Sequence, residues 1–291
     1  MILPTDFQFS QGSLQDYVDC PRRFHLRYVQ RLAWPAIDAE PALENERYLQ
    51  QGAAFHRLAH QHALGIPADK LAVATDADDA DIRRWWRNYL QSGPAGLPAI
   101  RYPEVVLSAP LEGYRLLARY DLVAIDPAMG AATGRGQRVV IVDWKTSRRR
   151  TPRERLQGRL QTRVYPFLLV QAGSHLNNVH PVLPEQVEMV YWFSDFPADP
   201  ERFSYDQAQH EADEAYLAEL IGEIAGRTTD EDFPLTADER RCRYCRYRSL
   251  CRRGERAGLL DDDDGELAGD FDSAADPDAF LDIEQIAEIE Y

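Results

Sequence analysis

Long apolar runs are missing from this sequence of 291 residues, and none of its apolar segments approaches the roughly eighteen residues that a transmembrane helix needs. The segment that follows Met1 also lacks the basic region and apolar core of a signal peptide. No G-x-x-x-x-G-K-[ST] segment is present, which excludes a nucleotide-driven motor of that type. The sequence therefore predicts a cytoplasmic protein with no membrane partner.

Cysteine is scarce, with four residues in the chain, and disulfides are not expected in a reducing compartment. Three cysteines follow the spacing C-x2-C-x5-C and the fourth lies far upstream: Cys242, Cys245, Cys251 and Cys20. Four thiolates are the ligand set of a [4Fe–4S] cluster or of a structural Zn²⁺. Zinc ribbons usually supply two C-x2-C pairs, so the uneven spacing favours the cluster, which would staple the two ends of the chain together. The alternative is four unrelated small buried side chains.

Positive charge is absent from residues 261–291, which hold thirteen acidic residues and account for most of the net charge of −15. The rest of the chain is close to neutral and carries two arginine clusters, at residues 148–163 and 240–256. Such clusters suit a phosphate backbone, although they could also be solvated helix faces balanced by acids. In the first cluster the only acid is Glu154. The tail is predicted to be disordered, and its apolar end is hypothesised to dock on a partner or on the basic surface as an inhibitor.

Apolar β-branched runs predict strands at residues 104–109, Tyr114–Ile125, 138–145 and 186–193. A Gly/Ala-rich loop at residues 129–137 would connect the second and third of these strands. The spacing of apolar residues predicts helices that begin near Ser13, Glu44, residue 76, Pro152 and Tyr205. The order helix, three strands, helix, strand predicts an α/β fold in which helices cover a mixed sheet.

Two carboxylates and an ammonium stand at the ends of predicted strands. The run Val139–Lys145 ends in Asp-Trp-Lys, and alternation places Asp143 and Lys145 on the same face. An earlier apolar run ends at Asp121. Mg²⁺ prefers oxygen ligands, which Asp121 and Asp143 could supply, while Lys145 would orient an attacking water or steady a phosphate. Taken alone, the same pattern also fits a structural salt bridge.

Two further pairs lie one helical turn apart. His56 and His60 could bind zinc, but no acidic motif accompanies them, and a single histidine facing the carboxylates is the better interpretation. His60 is then expected on the polar surface of its helix. Gln161 and Tyr165 share one face of the helix predicted to begin near Pro152.

These motifs together resemble the PD-(D/E)XK nucleases of the RecB/AddB type, including the CRISPR-associated iron–sulfur exonucleases, over residues 13–253. The family pattern is a histidine on a helix, an Asp ending the second strand, an Asp or Glu two residues before a Lys on the third, a Gln-x-x-x-Tyr helix, and one upstream and three downstream cysteines. The resemblance implies a restriction-endonuclease-like mixed sheet flanked by helices, with a small helical lobe stapled by an iron–sulfur cluster.

The resemblance also implies roles for individual residues. The catalytic set would be His56, Asp121, Asp143 and Lys145, with Gln161 and Tyr165 supporting the substrate strand. An Mg²⁺ or Mn²⁺ ion would be held by His56, Asp121, Asp143 and the Trp144 carbonyl, and a [4Fe–4S] cluster by Cys20, Cys242, Cys245 and Cys251. The corresponding segments begin with an N-terminal cluster segment at residues 1–30 and a helical region at residues 31–100. The nuclease core at residues 101–235 follows, then a C-terminal cluster segment at residues 236–258 and an acidic tail at residues 259–291.

The expected function is a metal-dependent deoxyribonuclease, an exonuclease on single-stranded DNA that acts in repair, recombination or CRISPR adaptation. Its partners would be DNA and repair, helicase or CRISPR adaptation proteins. Two alternatives from other classes remain: a catalytically idle nucleic-acid-binding module and a zinc-stapled interaction scaffold. The intact His, Asp, Asp and Lys set argues against the first, and a brown colour would argue against the second.

Overall fold

A computed structural model describes residues 3–32, 40–74, 79–126 and 137–255 of the chain. The predicted acidic tail and its docking hypothesis lie outside the described residues, as does most of the predicted loop at residues 129–137.

The described residues form a mixed sheet of six strands, which confirms the predicted α/β class. The strands are β1 (Gln8–Ser10), β2 (Ile100–Leu111), β3 (Tyr114–Ile125), β4 (Val139–Lys145), β5 (Val187–Phe193) and β6 (Glu201–Ser204). Their order is β1-β3-β4-β5-β6, and β2 pairs along the other edge of β3. β1 with β3 and β4 with β5 are parallel, and the remaining pairs are antiparallel. The N-terminal segment thus contributes a strand to the sheet.

Helices cover both faces of the sheet. They are α1 (Gln11–Asp19), α2 (Pro21–Phe24), α3 (Glu40–Ala63), α4 (Ala68–Ala74), α5 (Ala80–Ser92), α6 (Arg153–Gln157), α7 (Leu160–Ala172) and α8 (Gln207–Gly226). A π-helical turn, His25–Val29, follows α2. Within the described ranges, none of the helices combines the length and the apolar character that crossing a bilayer requires.

Each face of the sheet packs against helices through its own apolar core. The larger core joins the sheet to α1, α7 and α8, and it includes Leu14, Val164, Leu217, Ile141 and Met189. The smaller core joins the other face to α3 and α5, and it includes Phe55, Trp85, Val142, Trp144 and Trp192. On β4 the two sets alternate strictly, so its odd-numbered residues face the larger core.

Helix α1 is capped one turn earlier than predicted. The Ser10 hydroxyl accepts a hydrogen bond from the Ser13 N–H at 3.1 Å, and the Ser13 hydroxyl accepts one from the Ser10 N–H at 2.9 Å. Ser10 is therefore the N-cap, and Ser13 is the third helical residue of a reciprocal capping box.

Replacing Ser10 by alanine is expected to lower the free energy of unfolding by about 1 kcal/mol, because the N-terminal N–H groups of α1 lose an acceptor. Urea denaturation measures the change. Ser204→Ala, at an exposed position of β6, is the matched control and should be neutral. Equal effects of the two substitutions would contradict the assignment of the cap.

The single helix predicted from Pro152 is two helices. Pro152 caps α6, which ends before Gly158, and Arg159 has an extended backbone before α7 begins. Gln161 therefore lies in the first turn of a helix rather than in the middle of one.

The arginines of the first cluster have acidic partners that are distant in sequence. Arg148 contacts Asp81, Arg150 and Arg153 share Glu201, and Arg163 is ion-paired to the buried Asp213. The sequence shows only one acidic residue within this cluster, but its arginines form ion pairs with acidic residues on α5, β6 and α8.

Candidate active site

The site lies where β3 and β4 stop pairing. Their last registered pair is Leu122 with Val142, so the next residues, Asp121 and Asp143, face each other across the opening. Asp121 spans the gap with its side chain, since its Oδ2 accepts a hydrogen bond from the Trp144 N–H at 2.8 Å. The edge of β3 that pairs with β4 at residues 122–125 pairs with β1 at residues 115–117. The two carboxylates therefore stand in a gap in the sheet.

The alternation of β3 changes phase at this point. Tyr120 and Val123, three residues apart, both pack in the larger core. Leu122, which lies between them, packs in the smaller core. In a regular strand, Leu122 would share the face of Tyr120 and Val123 would lie on the other face.

His56 reaches Asp121 from helix α3. Its Nδ1 lies 3.2 Å from Asp121 Oδ1, as predicted for a histidine that faces the carboxylates. Burial acts to raise the pKa of Asp121, but the charge and hydrogen bond of His56, together with the Trp144 N–H, outweigh it and hold the pKa below its usual value. The carboxylate is thus kept ionised beside a ring nitrogen.

Asp143 and Lys145 do lie on the same face, with Lys145 Nζ 2.8 Å from Asp143 Oδ2. Gln161 bridges them from α7: its Nε2 donates to Asp143 Oδ1 at 2.5 Å, and its Oε1 accepts from Lys145 Nζ at 3.1 Å. One amide therefore fixes both charged groups. Asp143 Oδ2 is buried, and the Lys145 ammonium is its neighbour in this contact.

The electrostatic environment of Asp143 makes its negative charge costly. Burial raises the pKa of Asp143 to about 6, with Lys145 opposing the rise and the Asp121 charge adding to it. A buried carboxylate of this kind is stabilised by a nearby cation.

Lysine occurs at only two positions in the chain, Lys70 and Lys145, while the other cationic residues are arginines. Lys145 is buried, with Nζ 5.6 Å from the centre of the Tyr191 ring. A compact ammonium fits this space as a point charge, whereas a guanidinium would need more room and more acceptors.

Two other predicted residues line the same region. The main-chain carbonyl of Tyr165 accepts a hydrogen bond from the Tyr120 hydroxyl at 2.9 Å. Burial, followed by the charges of Asp143 and Asp121, raises the pKa of the Tyr165 phenol well above its usual value, so it remains protonated. The Trp144 side chain packs in the smaller core, and its main chain contributes the N–H described above.

Glu104 is a site residue that sequence reasoning missed. It stands on β2 between Pro103 and Val105, whose partners are Leu122 and Tyr120, so its counterpart on β3 is Asp121. Burial and the Asp121 charge raise the pKa of Glu104, while Arg119, His56 and His60 oppose the rise. Three carboxylates thus form a row across β2, β3 and β4. The proline before Glu104 was the available signal, because it interrupts a strand.

The carboxylates of this site suit a divalent cation that takes only one or two ligands from the protein. Across the described ranges, no three His, Cys, Asp or Glu side chains are arranged to hold a metal ion. Mg²⁺ usually takes only one or two carboxylates and completes its shell with water and substrate phosphate. Asp121 and the buried Oδ2 of Asp143 are oxygen donors of the required kind.

The four cysteines approach one another from the two ends of the described chain. Cys20 joins α1 to α2, and the other three lie in and after a 3₁₀ turn, Glu239–Tyr244. None forms a disulfide. Burial raises the pKa of Cys242 to about 11, and the charges of Cys245, Cys20 and Cys251 add to the rise while Arg23 opposes it. The thiols are therefore neighbours, although they do not form a closed ligand set.

Comparison with known proteins gives a family. Residues 8–252 match the family model described as the PD-(D/E)XK nuclease superfamily. A solved structure described as "Crystal structure of SSO0001" is similar with 16% identity and a TM-score of 0.39, over 84% of this chain and 85% of that chain. A search of the curated proteins gave no match. Since the matched region holds the whole sheet and each carboxylate of the site, the chain belongs to the PD-(D/E)XK nuclease superfamily.

Proposed function

We propose that the chain is an Mg²⁺- or Mn²⁺-dependent deoxyribonuclease that hydrolyses single-stranded DNA from an end. The observation that carries this proposal is the convergence of His56, Asp121, Asp143 and Lys145 in the gap between β3 and β4. These four side chains come from α3, β3 and β4. A structural salt bridge would require only one acidic and one basic side chain.

The cation would be held by Asp121 and Asp143, with His56 and the Trp144 carbonyl as further donors. A bound cation would lower the pKa of a water and neutralise the scissile phosphate. Lys145, fixed by Gln161, would place its ammonium beside the developing negative charge on the phosphate. His56 would keep Asp121 ionised and oriented through its hydrogen bond.

The depth of the site favours a single strand. The side chains of Asp143 and Lys145 are only 5% and 6% exposed, so a phosphate must enter the gap to reach them. A flexible single strand or a free end can enter more easily than a stiff duplex. We infer a role in repair, recombination or CRISPR adaptation, with helicase or adaptation proteins as partners.

We further propose that Cys20, Cys242, Cys245 and Cys251 hold a [4Fe–4S] cluster in a cytoplasmic protein. The support is that all the cysteines of the chain are near one another, although more than two hundred residues separate the first from the rest. Bound, the cluster would cross-link the ends of the described chain.

The decisive assay uses 5′-labelled and 3′-labelled single strands and the matching duplex, each with Mg²⁺, Mn²⁺ or EDTA. Stepwise shortening of the single strands in the presence of metal is the expected result, and the label that is released first gives the polarity. DNA binding without cleavage under every metal condition would instead indicate an idle binding module.

Replacing Gln161 by methionine is expected to lower the cleavage rate about tenfold to hundredfold with little change in DNA affinity. The substitution keeps the side-chain volume but removes the amide that fixes Asp143 and Lys145, and small displacements of catalytic groups are costly. Single-turnover cleavage measures the rate. Gln157→Met, at an exposed position of α6, is the control and should cleave at the wild-type rate. A Gln161 variant with unchanged cleavage would remove Gln161 from the site.

A further inference from the structure

Tyr191 of β5 lies between two parts of the candidate site. It is in register with Asp143 of β4, and its side chain is fully buried. The face of its ring meets Lys145, whose Nζ is 5.6 Å from the ring centre. Edge-on packing against the ring of Phe203, with 6.0 Å between the ring centres, restricts the orientation of the Tyr191 ring. The ammonium of Lys145 therefore lies against a fixed aromatic surface.

The hydroxyl of Tyr191 reaches helix α7. Its oxygen is 2.7 Å from the Thr162 hydroxyl, and Thr162 Oγ1 donates to the carbonyl of Leu156 in α6 at 2.5 Å. A threonine hydroxyl has one proton and a carbonyl can only accept, so Tyr191 is the donor toward Thr162. One pair of hydroxyls thereby joins β5, α6 and the first turn of α7.

That first turn also carries Gln161, which precedes Thr162 and accepts a hydrogen bond from the Lys145 ammonium at 3.1 Å. The turn is not continuous with α6, because the backbone is extended at Arg159. The Thr162 hydroxyl is a link from this turn to α6 and to β5. Tyr191 thus contacts Lys145 directly and Gln161 through the next residue in the chain.

Space filling alone would require neither contact of Tyr191, since a phenylalanine occupies nearly the same volume. A buried ammonium is costly unless it has partners, and the negative face of an aromatic ring attracts a cation most strongly where water is excluded. Burial, followed by the charge of Asp143, raises the pKa of the Tyr191 phenol, so the hydroxyl keeps the proton that it donates to Thr162.

We propose that Tyr191 is a positioning residue of the active site. Its ring sets the place of the Lys145 ammonium, and its hydroxyl sets the place of Gln161 through Thr162. This inference rests on the proposed function, because the place of Lys145 matters for catalysis only if the chain cleaves nucleic acid. Since Tyr191 is fully buried, it acts through these neighbours and not on the substrate strand. The ammonium and the amide are then arranged before the strand binds.

The ring contact can be measured without an assay of cleavage, because the chain has only one lysine besides Lys145. Lysine that is isotope-labelled at Cε gives one NMR signal per residue, and nuclei above the face of an aromatic ring resonate upfield. We expect an ordinary signal from Lys70, which is exposed on α4, and an upfield signal from Lys145. Tyr191→Leu should move only the Lys145 signal, toward that of Lys70. Two ordinary signals in the wild type, or an unmoved Lys145 signal in the variant, would overturn the role of the ring.

The role of the hydroxyl is tested with two substitutions of Thr162. Valine keeps the branched shape without the hydroxyl, whereas serine keeps the hydroxyl. Thr162→Val and Tyr191→Phe are each expected to lower kcat on single-stranded DNA about tenfold with KM nearly unchanged, because they displace catalytic groups without removing a substrate contact. Thr162→Ser should cleave at the wild-type rate. Equal rates for the valine and serine variants would overturn the role of the hydroxyl.

Combining Tyr191→Phe with Thr162→Val should cause no larger loss than the more severe single variant, because both remove the same hydrogen bond. Losses that multiply in the double variant would contradict the link. Tyr17→Phe is the control for a lost buried hydroxyl: Tyr17 lies on α1, and its hydroxyl donates to Glu223 on α8 at 2.6 Å. It is expected to lower thermal stability and to leave kcat unchanged.

Equal losses of kcat in Tyr17→Phe and Tyr191→Phe would attribute both to reduced stability and would overturn the positioning role. If the wild type does not cleave nucleic acid at all, the proposed function fails. The two lysine signals still decide in that case whether the ring of Tyr191 places Lys145.

Discussion

Replacement of Asp143 by asparagine is expected to lower metal-dependent cleavage by about 10²–10³-fold or more, because the site loses a charge that acts on the developing transition state. Asparagine keeps the shape of the side chain, so its amide oxygen can still accept the hydrogen bond from Gln161. Lys145→Met, which removes the opposite charge of the pair, is expected to have an effect of similar size. Single-turnover cleavage of a labelled single strand measures both.

A buried ion pair complicates these single substitutions, since breaking one partner leaves the other charge buried and can cost about 3–5 kcal/mol of stability. The double variant Asp143→Asn with Lys145→Met removes both charges together. We expect it to be more stable than either single variant and equally inactive, which separates chemistry from folding. Thermal denaturation followed by circular dichroism measures stability.

Asp126→Asn is the control for a lost aspartate, because Asp126 lies just beyond β3, at the end of the strand distant from Lys145. It should cleave normally. An Asp143→Asn variant that is folded and cleaves within tenfold of the wild type would rule out the proposed site.

Replacement of Cys242 by serine is expected to remove iron from the purified protein and to loosen both ends of the described chain. A cross-link that closes a loop of roughly two hundred residues can contribute about 5 kcal/mol through the entropy of the unfolded chain. Iron content and colour of protein purified without air report the cluster. Limited trypsin digestion reports the ends, because Arg22 and Arg243 lie next to the cysteine segments. Both segments should become more sensitive together.

Ser249→Ala is the control for this substitution, since Ser249 lies between Cys245 and Cys251 but has no thiol. It should retain iron and resist trypsin. A colourless wild-type protein that contains one zinc ion would show that the cysteines bind zinc rather than an iron–sulfur cluster, and the cross-link between the ends would remain. A wild type without bound metal, whose Cys242→Ser variant behaves identically, would leave the four cysteines as ordinary buried side chains.

Several elements could be predicted because their signal is local. The bounds of β3 were predicted correctly from one apolar run, and the alternation that pairs Asp143 with Lys145 follows from strand geometry. β1 and β6 were missed because three and four residues are too few to show alternation. The break between α6 and α7 was missed because the apolar spacing continues across Gly158.

The partners of charged residues could not be predicted. Arg163 is paired with Asp213 on α8 and Arg150 with Glu201 on β6, and no local pattern connects these positions. Glu104 is a comparable case. Its importance depends on register with Asp121 and on a backbone conformation that the sequence signals only by a preceding proline.

The sequence by itself determined which side chains share a face, because strand and helix periods are local. Asp143 with Lys145, and Gln161 with Tyr165, could be paired in this way, whereas the proposed set of His56, Asp121, Asp143, Lys145 and Gln161 followed from the resemblance of the combined motifs to a nuclease family. Only the tertiary structure decided that they meet in one gap, that one amide holds Asp143 and Lys145, and that a third carboxylate stands beside Asp121. The reason is physical: register, strand separation and helix docking depend on packing between segments distant in sequence, which local periodicity does not encode.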